Sequence, residues 1–300
     1  MIKTGIYGPA RIADPVRKQL LRLLLRHPDV DLRAVASPAG NTVPLEELHP
    51  VFAGETKLTL ERELRLDDLD VLFVIDEENL TEEIMERFRS DENFRLILIG
   101  NTPGALAKLP EGFVYGLPEH FRKELVRGAR AAVSPRPEAM IMELGLLPLA
   151  KKFFIEAPVS ATVATLFPDL LPAATAEACA MLSGVQAPQA VSITSEPRPH
   201  TPFERIDLVA TMATPLAIEE IERIYEEAYE DHSFVHMLSA GTEIDEDLRG
   251  SNKCLIQLSK AGGVLTVKAT LDALTKGCTG NAVHIMDLLF GLYERTGLSI

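Results

Sequence analysis

The sequence predicts an α/β chain in two parts. The first, 1–134, is a mainly parallel sheet flanked by helices; the second, 135–278, is an α+β region with an antiparallel sheet. Three observations carry this expectation. Short apolar runs alternate with helical patterns through the first part. At Ala131–Val133 an apolar strand enters the Pro-bracketed turn Ser134-Pro135-Arg136-Pro137 and a strongly apolar helix follows. Later, two strand-like runs flank Ala261-Gly262-Gly263, which is a hairpin signal.

Taken in order, Ile2–Tyr7 is an apolar strand. Asp14 and Pro15 start a helix with Val16, Leu20, Leu21, Leu23, Leu24 and Leu25, and His27-Pro28 ends it. Leu32–Ala36, Val71–Ile75, Arg95–Ile99 and Phe113-Val114 read as further strands, with a helix at Thr81–Arg89 and Gly, Pro and Asn in the loops. This alternation implies a Rossmann-like sheet, whose ligand crevice lies at the carboxyl ends of the strands. Pro137 suits the first turn of the helix that carries Met140, Ile141, Leu144 and Leu147 at helical spacing. A strand-turn-helix of this kind points backbone N–H groups into a cleft.

Beyond that helix come an Ala/Pro-rich stretch (157–174), a helix at Thr175–Leu182 closed by Gly184, and strands at Ala190–Ser195 and Ile206–Met212. Thr214-Pro215 caps an amphipathic helix reaching Tyr229, with Glu219, Glu220, Glu222, Glu226 and Glu227 on its solvated face. Cys254–Leu258 and Val264–Thr270 form the hairpin.

Among 300 residues, 46% hydrophobic and 25% charged describe a globular chain, not a disordered one. A net charge of −14 argues against nucleic acid or an anionic membrane as partner, since both need clustered Lys and Arg. The first residues read as a strand, and no apolar run approaches membrane-spanning length, so a cytoplasmic location is expected. Cys179, Cys254 and Cys278 are an odd number with no CxxC pair, which fits buried reduced thiols. Asp67, Asp68, Asp70, Asp76, Glu77 and Glu78 offer oxygen ligands, but without Ca²⁺-loop spacing or a histidine, so no metal site is assigned.

Four stretches share one family likeness: Leu20–Ser37, Tyr115-Gly116-Leu117-Pro118-Glu119, Leu248–Cys254 (LRGSNKC) and Lys276–Leu292 (KGCTGNAVHIMDLLFGL). Together with Leu48-His49-Pro50 they resemble the N-acetyl-gamma-glutamyl-phosphate reductases, semialdehyde-dehydrogenase-type enzymes of arginine biosynthesis. The resemblance implies an NADP-binding first domain against which 279–300 packs back, and a second domain for substrate and dimerisation. It also implies a nucleophilic cysteine on an Asn-Pro-Gly-Cys turn.

Several stretches depart from that pattern. The family's Gly-x-x-Gly-x-x-Gly loop is Gly8-Pro9-Ala10-Arg11-Ile12-Ala13-Asp14 here, and its Ser-Arg pair is Ser37-Pro38. The Leu-Pro-His-Gly loop is Asp76-Glu77-Glu78-Asn79, and the cysteine turn is Ser134-Pro135-Arg136-Pro137. Asn281, His284 and Ile285 replace residues that line the family's cofactor. The His-Arg-His-x-x-Glu run, which holds the general base, matches Arg198-Pro199-His200-Thr201-Pro202-Phe203-Glu204, with Arg198 in the base position in one register and His200 in another. The matching catalytic positions are thus Ser134, Arg136, Pro137, Arg198, His200 and Arg249, and the cofactor positions Gly8, Ser37, Gly277 and Gly280. Ser134 and Cys278 are weighed as replacement nucleophiles and assigned structural roles.

These departures point to a catalytically silent relative with a structural or regulatory role and no cofactor, where active members use NADP. Its expected partners are its own copies, with an active paralogue or pathway enzyme as a further candidate. A small-molecule sensor using the remodelled crevice, and a working NADP-dependent reductase with a rearranged site, stay open.

Overall fold

The computed structural model describes residues 1–9, 14–39, 42–100, 111–165, 167–199, 205–244 and 248–299. Among the described residues, those before Arg136 and those of Cys278–Leu298 gather into one compact unit, and Arg136–Gly277 into a second.

The first unit begins with β1 (Ile2–Tyr7), α1 (Pro15–Arg26), β2 (Val30–Ala36), β3 (Val43–Pro44), α2 (Leu45–Leu48) and β4 (Thr59–Glu61). It continues with β5 (Val71–Ile75), α3 (Glu82–Ser90), β6 (Arg95–Ile99), β7 (Phe113–Tyr115), α4 (Pro118–Val126) and β8 (Ala131–Ser134). The sheet runs β3-β4-β2-β1-β5-β6-β8-β7, with every pairing parallel except β3 with β4. Strand order reverses between β1 and β5, the point where such sheets open their crevice. All five residues of β5 are buried, as in a parallel sheet covered on both faces.

The second unit holds α5 (Pro137–Lys151), β9 (Val159–Ala164), α6 (Leu171–Gln186), β10 (Ile193–Arg198), β11 (Arg205–Ala213), α7 (Ile218–Tyr229), β12 (Val235–Leu238), β13 (Cys254–Ala261) and β14 (Val264–Asp272). Its sheet runs β10-β9-β11-β14-β13-β12. The inner pairings are antiparallel, as expected, but β10 pairs with β9 and β12 with β13 in parallel, so the sheet is mixed.

Three local expectations need correction. β9 lies inside the Ala/Pro-rich stretch, where small residues weaken the alternating pattern. α6 starts earlier and passes through Gly184, because Ala174, Ala178 and Leu182 bury its core stripe and tertiary packing outweighs glycine's helix cost of about 1 kcal/mol. α7 starts at Ile218 with no side-chain cap, while Thr214 Oγ1 accepts the Leu216 amide at 3.3 Å and shapes the turn before it.

α5 is buried almost all round and forms the centre of its unit. Gly145 lets it close on β11, since a Cβ there would sit 2.9 Å from Leu208 Cδ2. Pro148 cannot supply an N–H to the Leu144 carbonyl one turn back, and the Tyr229 hydroxyl donates to that carbonyl from α7. Tyr225 does the same for Gly145 at 2.6 Å.

After β14 the chain passes through a π turn (Thr275–Thr279) into α8 (Gly280–Leu289), a wholly buried helix of the first unit. Arg95 Nε donates to Leu289 O at 3.3 Å, and His27, the residue ending α1, meets Asp287 at 3.0 Å. No helix among the described residues is long and apolar enough to cross a membrane.

Candidate functional site

In the first unit Gly8, Pro9, Arg17, Ser37 and Asn79 pack together near the carboxyl ends of β1 and β5. Gly8 sits at φ +85°, and a Cβ there would lie 2.5 Å from Ile75 O and 2.8 Å from Asn79 Nδ2, so only glycine fits. Asn79 is the buried member of the acidic loop, and its amide donates to Ile75 O at 2.7 Å. Asp76, Glu77 and Glu78 keep at least partial exposure. Arg17, fully buried on α1, donates through Nη1 to the Gly8 and Pro9 carbonyls, each at 3.3 Å, and the Ser37 hydroxyl donates to Pro9 O at 2.7 Å. The Asp14 carboxylate accepts the Arg17 amide at 3.0 Å and occupies the amino end of α1. Burial lowers the Arg17 pKa, and Asp14 opposes that shift.

A second cluster holds α8 in the same unit. Asn281, fully buried, donates to Gly116 O at 2.8 Å and to Ser134 Oγ at 3.0 Å. A Cβ on Gly116 would lie 2.5 Å from Ile285 Cδ1. His284 faces Glu294 at 3.4 Å, and Glu294 also pairs with Arg122. Within this unit, Asn281, His284 and Ile285 therefore engage protein groups.

In the second unit Arg136 is the N-cap residue of α5 and Pro137 its first residue. The Arg136 amide donates to Glu177 Oε1 at 3.4 Å, and its Nε lies 3.8 Å from Glu177 Oε2. Next to them the Thr165 hydroxyl donates to Glu138, whose pKa is raised by burial and pulled back by Thr165, its own backbone N–H and Arg136. Gly277 closes on Pro137, where a Cβ would come within 2.9 Å of the proline Cβ. Asp272 accepts the Thr275 amide at 2.6 Å and the Gly250 amide at 3.0 Å, which ties the exposed Arg249 loop to the π turn.

Arg198 is placed elsewhere in this unit, at the end of β10, lining a cleft of about 410 Å³ with Arg205, Asp207, Lys268 and Thr270. Arg205 and Thr270 both bond Asp207, so its carboxylate is held by protein donors. His200 lies outside the described residues. Gly280 opens α8 in the first unit.

A larger cavity of about 710 Å³ beside β2 and β4 mixes Arg33, Lys57 and Arg62 with Glu61, Glu63 and Asp68, so it selects no sign of ligand. Among the described residues no group of three or more His, Cys, Asp or Glu is placed to hold a metal ion. Asp68 instead pairs with Lys3, and Asp70 accepts the Lys3 amide at 2.8 Å. Cys254 and Cys278 are buried and Cys179 is half-buried.

The sequence reading missed Arg17, Glu177 and Thr165. Arg17 had a visible signal, since it falls on the core stripe with Leu20, Leu21 and Leu24 at helical spacing.

No family model matches the chain. An N-acetyl-gamma-glutamyl-phosphate reductase of Parabacteroides distasonis is 32% identical over all of this chain and 98% of its own length. One from Bacteroides fragilis is 30% identical with the same coverage. Among solved structures, aspartate semialdehyde dehydrogenase II of Vibrio cholerae superposes with a TM-score of 0.70 at 12% identity, covering 98% of this chain and 99% of that one. The Candida albicans aspartate semialdehyde dehydrogenase with NADP gives 0.68 at 12%, covering 97% and 99%. These two share the fold. With 32% identity over its full length to a named reductase, and a fold shared with the aspartate semialdehyde dehydrogenases, the chain belongs to the N-acetyl-gamma-glutamyl-phosphate reductase family.

Proposed function

We propose that this family member does not perform hydride transfer, and that it serves a structural or regulatory role in arginine biosynthesis as a self-associating cytoplasmic protein. The observation that carries this is the first turn of α5. Ser134-Pro135-Arg136-Pro137 offers a buried guanidinium and a pyrrolidine ring at the helix end where, by the family resemblance, a thiolate stands. Acyl-phosphate reduction through a thioester needs a nucleophilic sulfur, and proline has no such atom.

The β1/β5 crevice supports the same reading. A dinucleotide pyrophosphate needs backbone N–H donors and room for close approach. Here the Asp14 carboxylate sits at the amino end of α1, Arg17 is engaged by loop carbonyls, and Asn79 packs where a Cβ on Gly8 would not fit. These residues do not fit the group. A carboxylate at contact range opposes a phosphate charge by about 1 to 4 kcal/mol.

A second reading, a working NADP-dependent reductase, is favoured by the full-length relatives that bear that name. Its sulfur would be Cys278, next in the chain to the Gly277 that closes on Pro137.

The deciding assay runs in reverse, with N-acetylglutamate semialdehyde, NADP and phosphate. The expected outcome is no phosphate-dependent NADPH above a no-enzyme blank, for the wild type and for Pro137→Cys. A wild-type rate that Cys278→Ser abolishes would establish the second reading.

A further inference from the structure

The amino end of α5 holds a group to which neither functional reading assigns a binding role. Arg136 is 1% exposed, yet Nε, Nη1 and Nη2 donate no hydrogen bond among the described residues. Among the described residues its ion-pair contact is Nε to Glu177 Oε2 at 3.8 Å, beyond hydrogen-bond reach. A guanidinium stays charged at any working pH, so the fold buries a permanent cation with a planar fork of donors.

The neighbouring carboxylates do not fill that fork. Glu177 turns Oε1 to the Arg136 backbone amide, and Glu138 takes the Thr165 hydroxyl. Buried polar groups are matched by an acceptor in the great majority of folded proteins, and a buried charge needs one most. Two parallel N–H groups complement the edge of a carboxylate or a phosphate. They stand here at the positive end of a 15-residue helix.

We propose that Arg136 anchors an oxyanion site within the second unit, taking a small carboxylate or inorganic phosphate on its Nη edge. Glu177 is the internal counter-charge, which steadies the guanidinium when the anion is absent and competes with it when present. A side chain this covered limits the occupant to a few atoms. The site stands whether or not the protein turns over substrate, because it uses no cofactor and no nucleophile.

Calorimetric titration with inorganic phosphate, and separately with acetate, tests this on wild type, Arg136→Met and Glu177→Gln. Saturable binding of one anion by wild type is expected, and the two arms tell phosphate from carboxylate. Binding should vanish in Arg136→Met and tighten roughly tenfold in Glu177→Gln, where the competing charge is gone. A merely structural ion pair would not give that gain. Equal binding by wild type and Arg136→Met would reveal an adventitious ion only and overturn the site. So would a folded Glu177→Gln, checked by circular dichroism, that binds no tighter than wild type. If Arg136→Met fails to fold, Glu177→Gln decides.

Discussion

α1 and α5 begin alike and end up chemically opposite. Each follows a strand of the first unit's sheet, each has proline as its first residue, and each brings a fully buried arginine to its opening turn. At α1 the cap is Asp14, whose charge suits the positive helix end, and Arg17 is matched by the Gly8 and Pro9 carbonyls. At α5 the cap is Arg136, whose charge opposes the helix dipole and whose donors lack acceptors among the described residues. A helix start that supplies its own anion already answers its positive end. One that buries an unmatched cation is left with the capacity to bind one.

The largest effect should separate the two arginines. Arg17→Met removes donors from buried carbonyls and a charge from beside Asp14, so urea unfolding should show a loss of about 3 kcal/mol. Arg136→Met should cost less in anion-free buffer, because it breaks no side-chain hydrogen bond among the described residues, and the same substitution paired with Glu177→Gln should recover most of that loss by removing the carboxylate left without its counter-charge. Equal losses would break the contrast.

The far end of α1 sharpens it. Asp29 N donates to His27 Nδ1, so neutral His27 carries its proton on Nε2 and donates it to Asp287. Burial pushes the Asp287 pKa up to about 6, with His27 holding it back. A carboxyl whose folded pKa lies above its unfolded value favours the protonated fold. Its contribution is fully present below about pH 4 and is lost as pH rises through about 6, on the order of 2 to 3 kcal/mol. Asp287→Asn keeps the hydrogen bond and should flatten that dependence when melts are compared from pH 4 to 7. An unchanged profile would show that α1 and α8 are not coupled through this pair.

Two smaller changes test how each helix is completed. Tyr229→Phe strips the Leu144 carbonyl of the donor that Pro148 cannot replace, and should cost about 1 to 2 kcal/mol in thermal or urea unfolding. Asp14→Ala should cost about 1 kcal/mol as a lost cap. If it also produced tight NADPH binding, the carboxylate alone would have been blocking the crevice.

Much of the framework was legible. β5 and β6 can be read residue for residue, because a five-residue apolar run between Asp70 and Asp76, and a four-residue one between Arg95 and Gly100, have few alternatives. The departures from the family resemblance, such as Asp14, Pro9 and Arg136, were equally visible, since residue identity is a covalent fact. Asn79 and Arg17 were not read as crevice fillers, because a polar side chain's partner is chosen by distant backbone.

What the sequence by itself determined was the α/β class and the helix starts at Pro15 and Pro137, because backbone geometry and side-chain chemistry are local properties. Only the tertiary structure decided that β10 and β12 run parallel to their neighbours, that Asn79 closes on Gly8, and that Arg136 meets Glu177 forty-one residues away. Pairing direction and hydrogen-bond matching depend on which distant groups the folded chain brings within about 3 Å, and no local pattern carries that distance.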